Sequence, residues 1–541
     1  MSVGNGTVPS YGVAFIENTP ASKGSVMEPF RNEPYSDFSQ AEPQAAYREA
    51  LDTVASKLGG HVPVVIDGKP VATDERIVSI DPARPDVVVG TTGSASQAEA
   101  QLAIAAAKAA FPDWSRRSAQ ERAEFVHRIG DLMAERKFEL CAWMTLEAGK
   151  NWTEAEADVA EAIDFCRYYA HQAVRLSEPV PVVPFPGEKN HSFLIPMGVG
   201  VVIPPWNFPL AILAGMSVGP VAAGNTVVLK PASATPVLGA HFMDLVAEAG
   251  LPDGVINFLP GPGSEVGDFL VDHPDTRFVN FTGSKEIGLR IAQRAAAVHP
   301  EQRWLKRAFM EMGGKDGLVV DETADLENAA DAIVRSAYGY QGQKCSACSR
   351  AIVVDAVHDR LLDMVLDKTA ALEVGPGAEN YAVGPVITAT QYDTILDEIG
   401  RGTDEAELVI GGKPISRDGG YYIEPTVFVG VRPEHRLAQH EIFGPVLSYI
   451  RVGDFEEALQ VANGTEYGLT GGLCSTDPDR IERAIRELHV GNLYINRKIT
   501  GALVGVQPFG GFNMSGSNSK AGGPDYLRLF MEMKTVAQAG G

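Results

Sequence analysis

Five cysteines stand at positions 141, 166, 345, 348 and 474, and one of them has the surroundings of a nucleophile. Cys345 lies in GYQGQKCSACSR, where Gln-Gly-Gln-Lys reads as a loop and the cysteine as the opening of a short helical segment. The dipole of that segment and the adjacent Lys344 would both favour thiolate. A thiolate is a strong nucleophile for a carbonyl carbon. The plain alternative is a buried structural cysteine. Cys345 and Cys348 also form C-x-x-C, the spacing used by thiol–disulfide oxidoreductases. A zinc site would need further ligands, and no second close Cys or Cys/His pair occurs, so no metal is expected.

Two other residues complement a thiol that attacks an aldehyde. Asn207, in PWNF, carries a neutral amide that can donate to an oxyanion without titrating. Glu311, in EMGGK, carries a carboxylate suited to activating water. Taken singly, Asn207 reads as a turn residue and Glu311 as a solvated charge near a strand end.

A second set of residues suggests a nucleotide. GPGSEVG (261–267), with Gly263 inside it, follows a strand and opens a helix, though its last glycine comes one residue late for G-x-G-x-x-G. NFTGS (280–284) contains Gly283 and Ser284 and also opens a helix, whose free N–H groups favour phosphate. Lys230 closes the strand VVLK, where an ammonium can hydrogen-bond ribose hydroxyls or simply be solvated.

The elements that must position these groups follow an α/β rhythm. A long helical region runs from about 97 to 172. Apolar runs VGVVIPP, NTVVLKP, GVINFLP and RFVNFTG then alternate with helical segments, the pattern of a parallel sheet covered on both faces. No charge occurs from Ser192 to Leu229, but Pro204, Pro205, Pro209 and Pro220 break that stretch, so a buried strand–helix–strand unit is expected rather than a membrane span. A second rhythm, with GLVVD, RAIVVD, LVIGG, VLSYIRV and NLYIN as strands, predicts a second α/β domain and a cleft between the two. The Pro/Val alternation before Phe193 and the run LRLFMEMKTVAQ near the C-terminus read as extended segments that extend a sheet across a subunit boundary.

The formal net charge is −23, from 46 Lys plus Arg against 69 Asp plus Glu, which disfavours nucleic-acid or anionic membrane partners. Few, unpaired cysteines and no leader pattern point to a cytoplasmic, reducing setting.

IPPWNFP, KPAS, NFTGS, EMGGK, GQKCSACSR and EIFGPV occur in that order, and their combination resembles the aldehyde dehydrogenase superfamily over nearly all the chain. EPFRNEP near Glu28, KCSACSR, and RKITGALVGVQPFGGFNMSG from Arg497 resemble the monofunctional branch that acts on L-glutamate γ-semialdehyde, in the second step of proline catabolism.

The resemblance implies two Rossmann-like parallel-sheet domains plus a β oligomerisation arm. The boundaries expected are a disordered extension over 1–26, a dinucleotide-binding domain over 27–172 and 195–311, a catalytic domain over 312–523, and an arm over 173–194 and 524–541. It implies Cys345 as nucleophile, Asn207 as oxyanion donor and Glu311 as the base for water. Lys230 and Glu441 would hold ribose hydroxyls, Phe443 would pack near the nicotinamide, Ser284 would meet the pyrophosphate, and Ile203 and Trp206 would line the dinucleotide cleft. Ser346, Gly501 and Ala502 would anchor the substrate α-carboxylate, Phe509 would flank its chain, and Glu161 would face its amine. Many NAD-specific relatives carry Glu where Ser233 stands after KPA, so NADP is expected to be tolerated beside NAD. A homodimer or larger homo-oligomer is implied. The alternatives are a dehydrogenase of another small aldehyde such as succinate semialdehyde, a C-x-x-C oxidoreductase, and a non-catalytic protein on the same fold.

Overall fold

A computed structural model of the chain describes residues 29–540; the extension expected over 1–26 lies outside them. The helical region resolves into four helices, Gln97–Arg116, Ala119–Glu135, Lys137–Ala148 and Trp152–Leu176. Two of the breaks are written in the sequence. Ser96 with Glu99, and Ser118 with Glu121, form reciprocal capping boxes that start the first two helices. Gly149, in the left-handed conformation, ends the third.

The first large sheet orders its strands Arg307–Glu311, Thr276–Thr282, Val199–Ile203, Thr226–Leu229 and Ile256–Phe258, all parallel, with an antiparallel edge from Val64–Ile66 and Lys69–Val71. The strand order reverses beside Val199–Ile203. Ligands of open α/β sheets bind at such a point, outside the carboxyl ends of the strands. The charge-free stretch forms a strand, the helix Ala211–Ala222 and the strand Thr226–Leu229, all buried. Among the described residues no helix is long and apolar enough to cross a membrane.

The second large sheet orders Glu407–Ile410, Thr426–Val429, Val446–Val452, Arg350–Val354, Gly317–Val320, Thr470–Cys474 and Asn492–Ile495, parallel except for its first pair. Glu188–Pro196 pairs antiparallel with Met531–Ala539 along its whole length. The strand paired with the C-terminal run thus begins just after the Pro/Val segment, which meets it through the isolated Val180–Ser192 bridge, and Val183 and Phe185 stand exposed beside the ribbon. A three-stranded sheet of Gly60–Val62, Arg84–Ser94 and Glu75–Asp81 was not foreseen from the sequence.

Candidate active site

Asn207 follows the strand Val199–Ile203 after Pro204 and Pro205, which cannot continue a ladder. Its side-chain amide donates to the Gln343 carbonyl at 3.0 Å, two residues before Cys345. That bond uses one of its two N–H groups. The Cys345 backbone N–H has no hydrogen-bond partner among the described residues. The second amide N–H of Asn207 and the Cys345 N–H are thus both left unused.

A buried ion pair sets the placement of this region. Lys150 and Asp158, both fully buried, meet at 2.7 Å. Asp158 Oδ1 accepts from the Ala211 N–H at 2.6 Å and so caps the helix that follows Asn207. The Lys150 ammonium also sits over the rings of Phe208 (4.1 Å) and Tyr340 (4.6 Å). One charge pair therefore fixes the helix Trp152–Leu176, the Asn207 loop and the turn before Cys345. Tyr340 and Gln341 in that turn have φ of 49° and 55°, left-handed values that cost non-glycine residues about 1–3 kcal/mol each.

The structure corrects the expected activation of Cys345. Residues 344–346 form a turn closed by the single Ala347 N–H to Lys344 carbonyl bond, so no helix dipole points at the sulfur. Lys344 is turned away and pairs with Glu154 at 2.5 Å. Burial pushes the Cys345 thiol above its usual range, and the carboxylates of Asp316, Glu441, Glu311 and Glu161 add to the shift. Both effects favour the protonated thiol. Cys348 is buried, with its sulfur 3.5 Å from the Arg350 carbonyl, and all five cysteines are free.

A cavity of about 880 Å³, counting the open space at its mouth, collects residues from seven separate segments. Glu161, Glu311, Cys345, Ser346, Gly501, Ala502 and Phe509 all line it. Aromatic side chains, among them Phe165, Tyr169, Phe208 and Tyr526, complete its walls. Tyr526 is fixed by stacking on Tyr169 (5.1 Å) and by accepting from the Asn280 amide at 3.0 Å.

Glu311 ends the edge strand Arg307–Glu311 of the first sheet. Its Oε1 accepts from the Ser519 hydroxyl (2.7 Å) and N–H (3.1 Å), and its Oε2 accepts from the Gly511 N–H (3.1 Å). Burial raises its carboxyl to about 7, while these bonds hold the rise back. A base near neutrality is efficient in proton transfer. Glu161 is raised to about 8, by burial and then by Asp158. Sequence reasoning missed Ser519, which lies 208 residues from the carboxylate it holds.

Gly501 has φ of +76°, and neither its N–H nor that of Ala502 has a partner among the described residues. Arg497 donates to the carbonyls of Thr500 and Gly501 at 3.4 and 3.5 Å, and the Lys498 ammonium lies beneath Gly501. The loop carbonyls are thus tied back while its N–H groups stay free, an arrangement that favours an anion.

Beyond Cys345 a smaller cavity of about 330 Å³ is lined by Lys315, Glu441 and Phe443. Glu441 Oε1 accepts from the Gly314 N–H at 3.0 Å, and burial raises this carboxyl to about 7. A Cβ on Gly313 would fall 1.9 Å from Glu441 Oε2, so any side chain there would push the Glu441 carboxylate aside. Phe443, at φ 58°, packs edge-on against Trp206 with ring centres 5.5 Å apart, which joins the two halves of the molecule across the cleft.

Ile203, Lys230, Gly283 and Ser284 sit at the carboxyl ends of the strands of the first sheet, outside both cavities. Among the described residues the buried Lys230 ammonium has no anionic partner; its one hydrogen bond is to the Pro231 carbonyl at 3.4 Å, and burial lowers it to about 8. Its chain runs 3.9 Å from the Cβ position of Gly267 in the 261–267 loop. Ser284 caps the helix Lys285–Ala296 at the end of the strand Thr276–Thr282. Gly263 faces open space, and Ser233 is exposed at the rim. A buried unpaired cation, Lys230, and the helix N-terminus at Ser284, both at the carboxyl ends of the first sheet's strands, fit ribose hydroxyls and phosphates. Among the described residues no cluster of three or more His, Cys, Asp or Glu is arranged to hold a metal.

The family described as "Aldehyde dehydrogenase family" matches residues 70–536. The chain belongs to the aldehyde dehydrogenase family. It is 52% identical over 514 residues to a 1-pyrroline-5-carboxylate dehydrogenase of Geobacillus sp. (strain WCH70), covering 95% of this chain and 100% of that protein. It is 52% identical over 511 residues to 1-pyrroline-5-carboxylate dehydrogenase 2 of Bacillus subtilis (strain 168), covering 94% and 99%. Among solved structures, a Thermus 1-pyrroline-5-carboxylate dehydrogenase with bound NAD superposes with a TM-score of 0.94 at 55% identity, covering 95% of this chain and 100% of that one.

Proposed function

We propose that this protein oxidises L-glutamate γ-semialdehyde, the open form of Δ1-pyrroline-5-carboxylate, to L-glutamate with NAD as hydride acceptor. The observation that carries the reading is a single cavity with a thiol, a carboxylate near its neutral range and an anion-ready loop: Cys345, Glu311 and Gly501–Ala502. The names of the relatives support the same substrate.

In this reading the Cys345 sulfur adds to the aldehyde carbon, and loss of the thiol proton accompanies the attack. Asn207 and the Cys345 N–H hold the oxyanion; each such donor contributes about 3–4 kcal/mol. Lys230, Glu441 and Ser284 would hold the dinucleotide, with Phe443 and Trp206 beside the nicotinamide. The nicotinamide ring, when bound, accepts the hydride. The resulting thioester is hydrolysed by water that Glu311 deprotonates. Ser346, Gly501 and Ala502 hold the α-carboxylate, Phe509 flanks the chain, and Glu161 meets the amine.

Succinate semialdehyde has no amine, and Glu161 would then face no charge. A dithiol role for Cys348 has little support, because its buried sulfur is directed at a backbone carbonyl. The domain boundaries given above, a homo-oligomer assembled through the ribbon of Glu188–Pro196 and Met531–Ala539, and a cytoplasmic place in proline catabolism complete the proposal. NADH production from pyrroline-5-carboxylate tests it: the wild type turns over, Cys345→Ala does not, and Cys348→Ser retains most activity. A wild type that prefers an aldehyde without an α-carboxylate ends it.

A further inference from the structure

The segment EPFRNEP has no part in the chemistry above, yet its described residues lie against both substrate-recognition elements. Phe30 packs edge-on against Tyr168 with ring centres 5.0 Å apart. Glu33 pairs with Arg167 at 2.8 Å, and its N–H donates to Asp164 Oδ1 at 2.7 Å. Ser36 donates to Glu156 through its N–H (2.9 Å) and hydroxyl (2.5 Å). Residues 30–36 therefore strap the helix Trp152–Leu176, which carries Glu161.

One side chain in the strap reaches a second element. The Asn32 amide nitrogen donates to Asp164 Oδ2 at 2.7 Å and to the Val504 carbonyl at 2.9 Å. Both of its hydrogens are used. Asp164 lies one turn beyond Glu161 on the same helix, and residues three apart share a face. Val504 lies two residues beyond Ala502 in the loop TGALVG. The next residue, Gly505, has φ of +77°, and a Cβ there would come within 3.1 Å of the Tyr168 ring and 3.2 Å of the Phe30 ring. The loop thus rests directly on the strap.

We propose that Asn32 is a positioning residue for the amino-acid end of the substrate: one amide clamps the carboxylate loop at Val504 to Asp164 on the helix that carries Glu161. This rests on the functional reading given above. Carboxylate recognition by backbone N–H groups demands placement within a few tenths of an ångström, and the loop's own bonds to Arg497 are long. The reacting carbon is gripped by Cys345 and Asn207, which Asn32 does not touch. Losing the clamp weakens recognition of the far end and spares the chemistry.

Steady-state kinetics of Asn32→Ala with L-glutamate γ-semialdehyde and with propanal, alongside calorimetric binding of L-glutamate, test this. The expected result is a KM for the semialdehyde raised about 10-fold or more, with kcat for it and kcat/KM for propanal within about 2-fold of wild type. L-glutamate binding should weaken in parallel. Asn32→Asp keeps the shape and removes both donors, so it carries the test if the alanine variant does not fold. Equal losses for both aldehydes, or an unchanged semialdehyde KM, overturn the proposal. A wild type that does not favour the semialdehyde over propanal overturns instead the reading on which it rests.

Discussion

Ser519→Ala removes the shortest of the three hydrogen bonds to Glu311, the 2.7 Å bond from the hydroxyl, and leaves the two N–H donors at 3.1 Å. Hydrogen bonds to a carboxylate favour its ionised form, whereas burial has already raised this group to about 7. A hydrogen bond to a charged group contributes about 1.5–3 kcal/mol. One pH unit of titration corresponds to about 1.4 kcal/mol, so losing the bond moves the Glu311 titration alkaline by about one to two pH units. The carboxylate is the form that deprotonates water. Its fraction at pH 7 falls from about half to about a tenth or less, and thioester hydrolysis slows in proportion. The assay is the steady-state rate across pH 6–9.5 after the first turnover of NADH formation. Wild type should lose rate as pH falls through about 7, and the variant should do so at higher pH and regain wild-type rates at the alkaline end. An unchanged profile, or one displaced to lower pH, would refute the assignment of Ser519 and Glu311 to this step.

Lys150→Met leaves Asp158 buried without its partner and should cost about 3–5 kcal/mol in chemical denaturation; a loss below about 1 kcal/mol would mean the pair does not organise the site. Gly313→Ala places a Cβ where Glu441 Oε2 lies, so KM for NAD should rise about 10-fold while alkylation of Cys345 proceeds at the wild-type rate. Ser233 is exposed and carries no charge against a 2′-phosphate, so kcat/KM for NADP should be comparable with that for NAD; absence of NADP turnover at millimolar concentration would contradict this.

Local patterns in the sequence place the candidate residues. PWNF, EMGGK, GQKCSACSR and TGALVG each hold their candidate residue within a few positions of the turn or strand end that presents it. Long apolar runs such as VGVVIPP and VLSYIRV are legible as buried parallel strands because both faces are covered. Short or mixed strands are not: Thr470–Cys474 contains two glycines, and Arg307–Glu311 lies at a sheet edge with Arg307 exposed. Long-range partners leave no local trace. Lys344 seemed suited to activating Cys345 because it precedes it, but its partner Glu154 is 190 residues away and draws the ammonium aside. The Cys345 turn resembles a helix start in sequence because Ala and Ser follow it, while its shape is set by the Tyr340 and Gln341 backbone and by Gln343 accepting from the Ile387 N–H at 3.0 Å.

Trapping the covalent intermediate tests the central assignment most directly. Glu311→Gln, incubated with NAD and L-glutamate γ-semialdehyde, should release one NADH per site and then stall, and peptide mass mapping should find the acyl group on Cys345. An acyl group on another residue, no adduct at all, or stoichiometric NADH from Cys345→Ala would contradict the account.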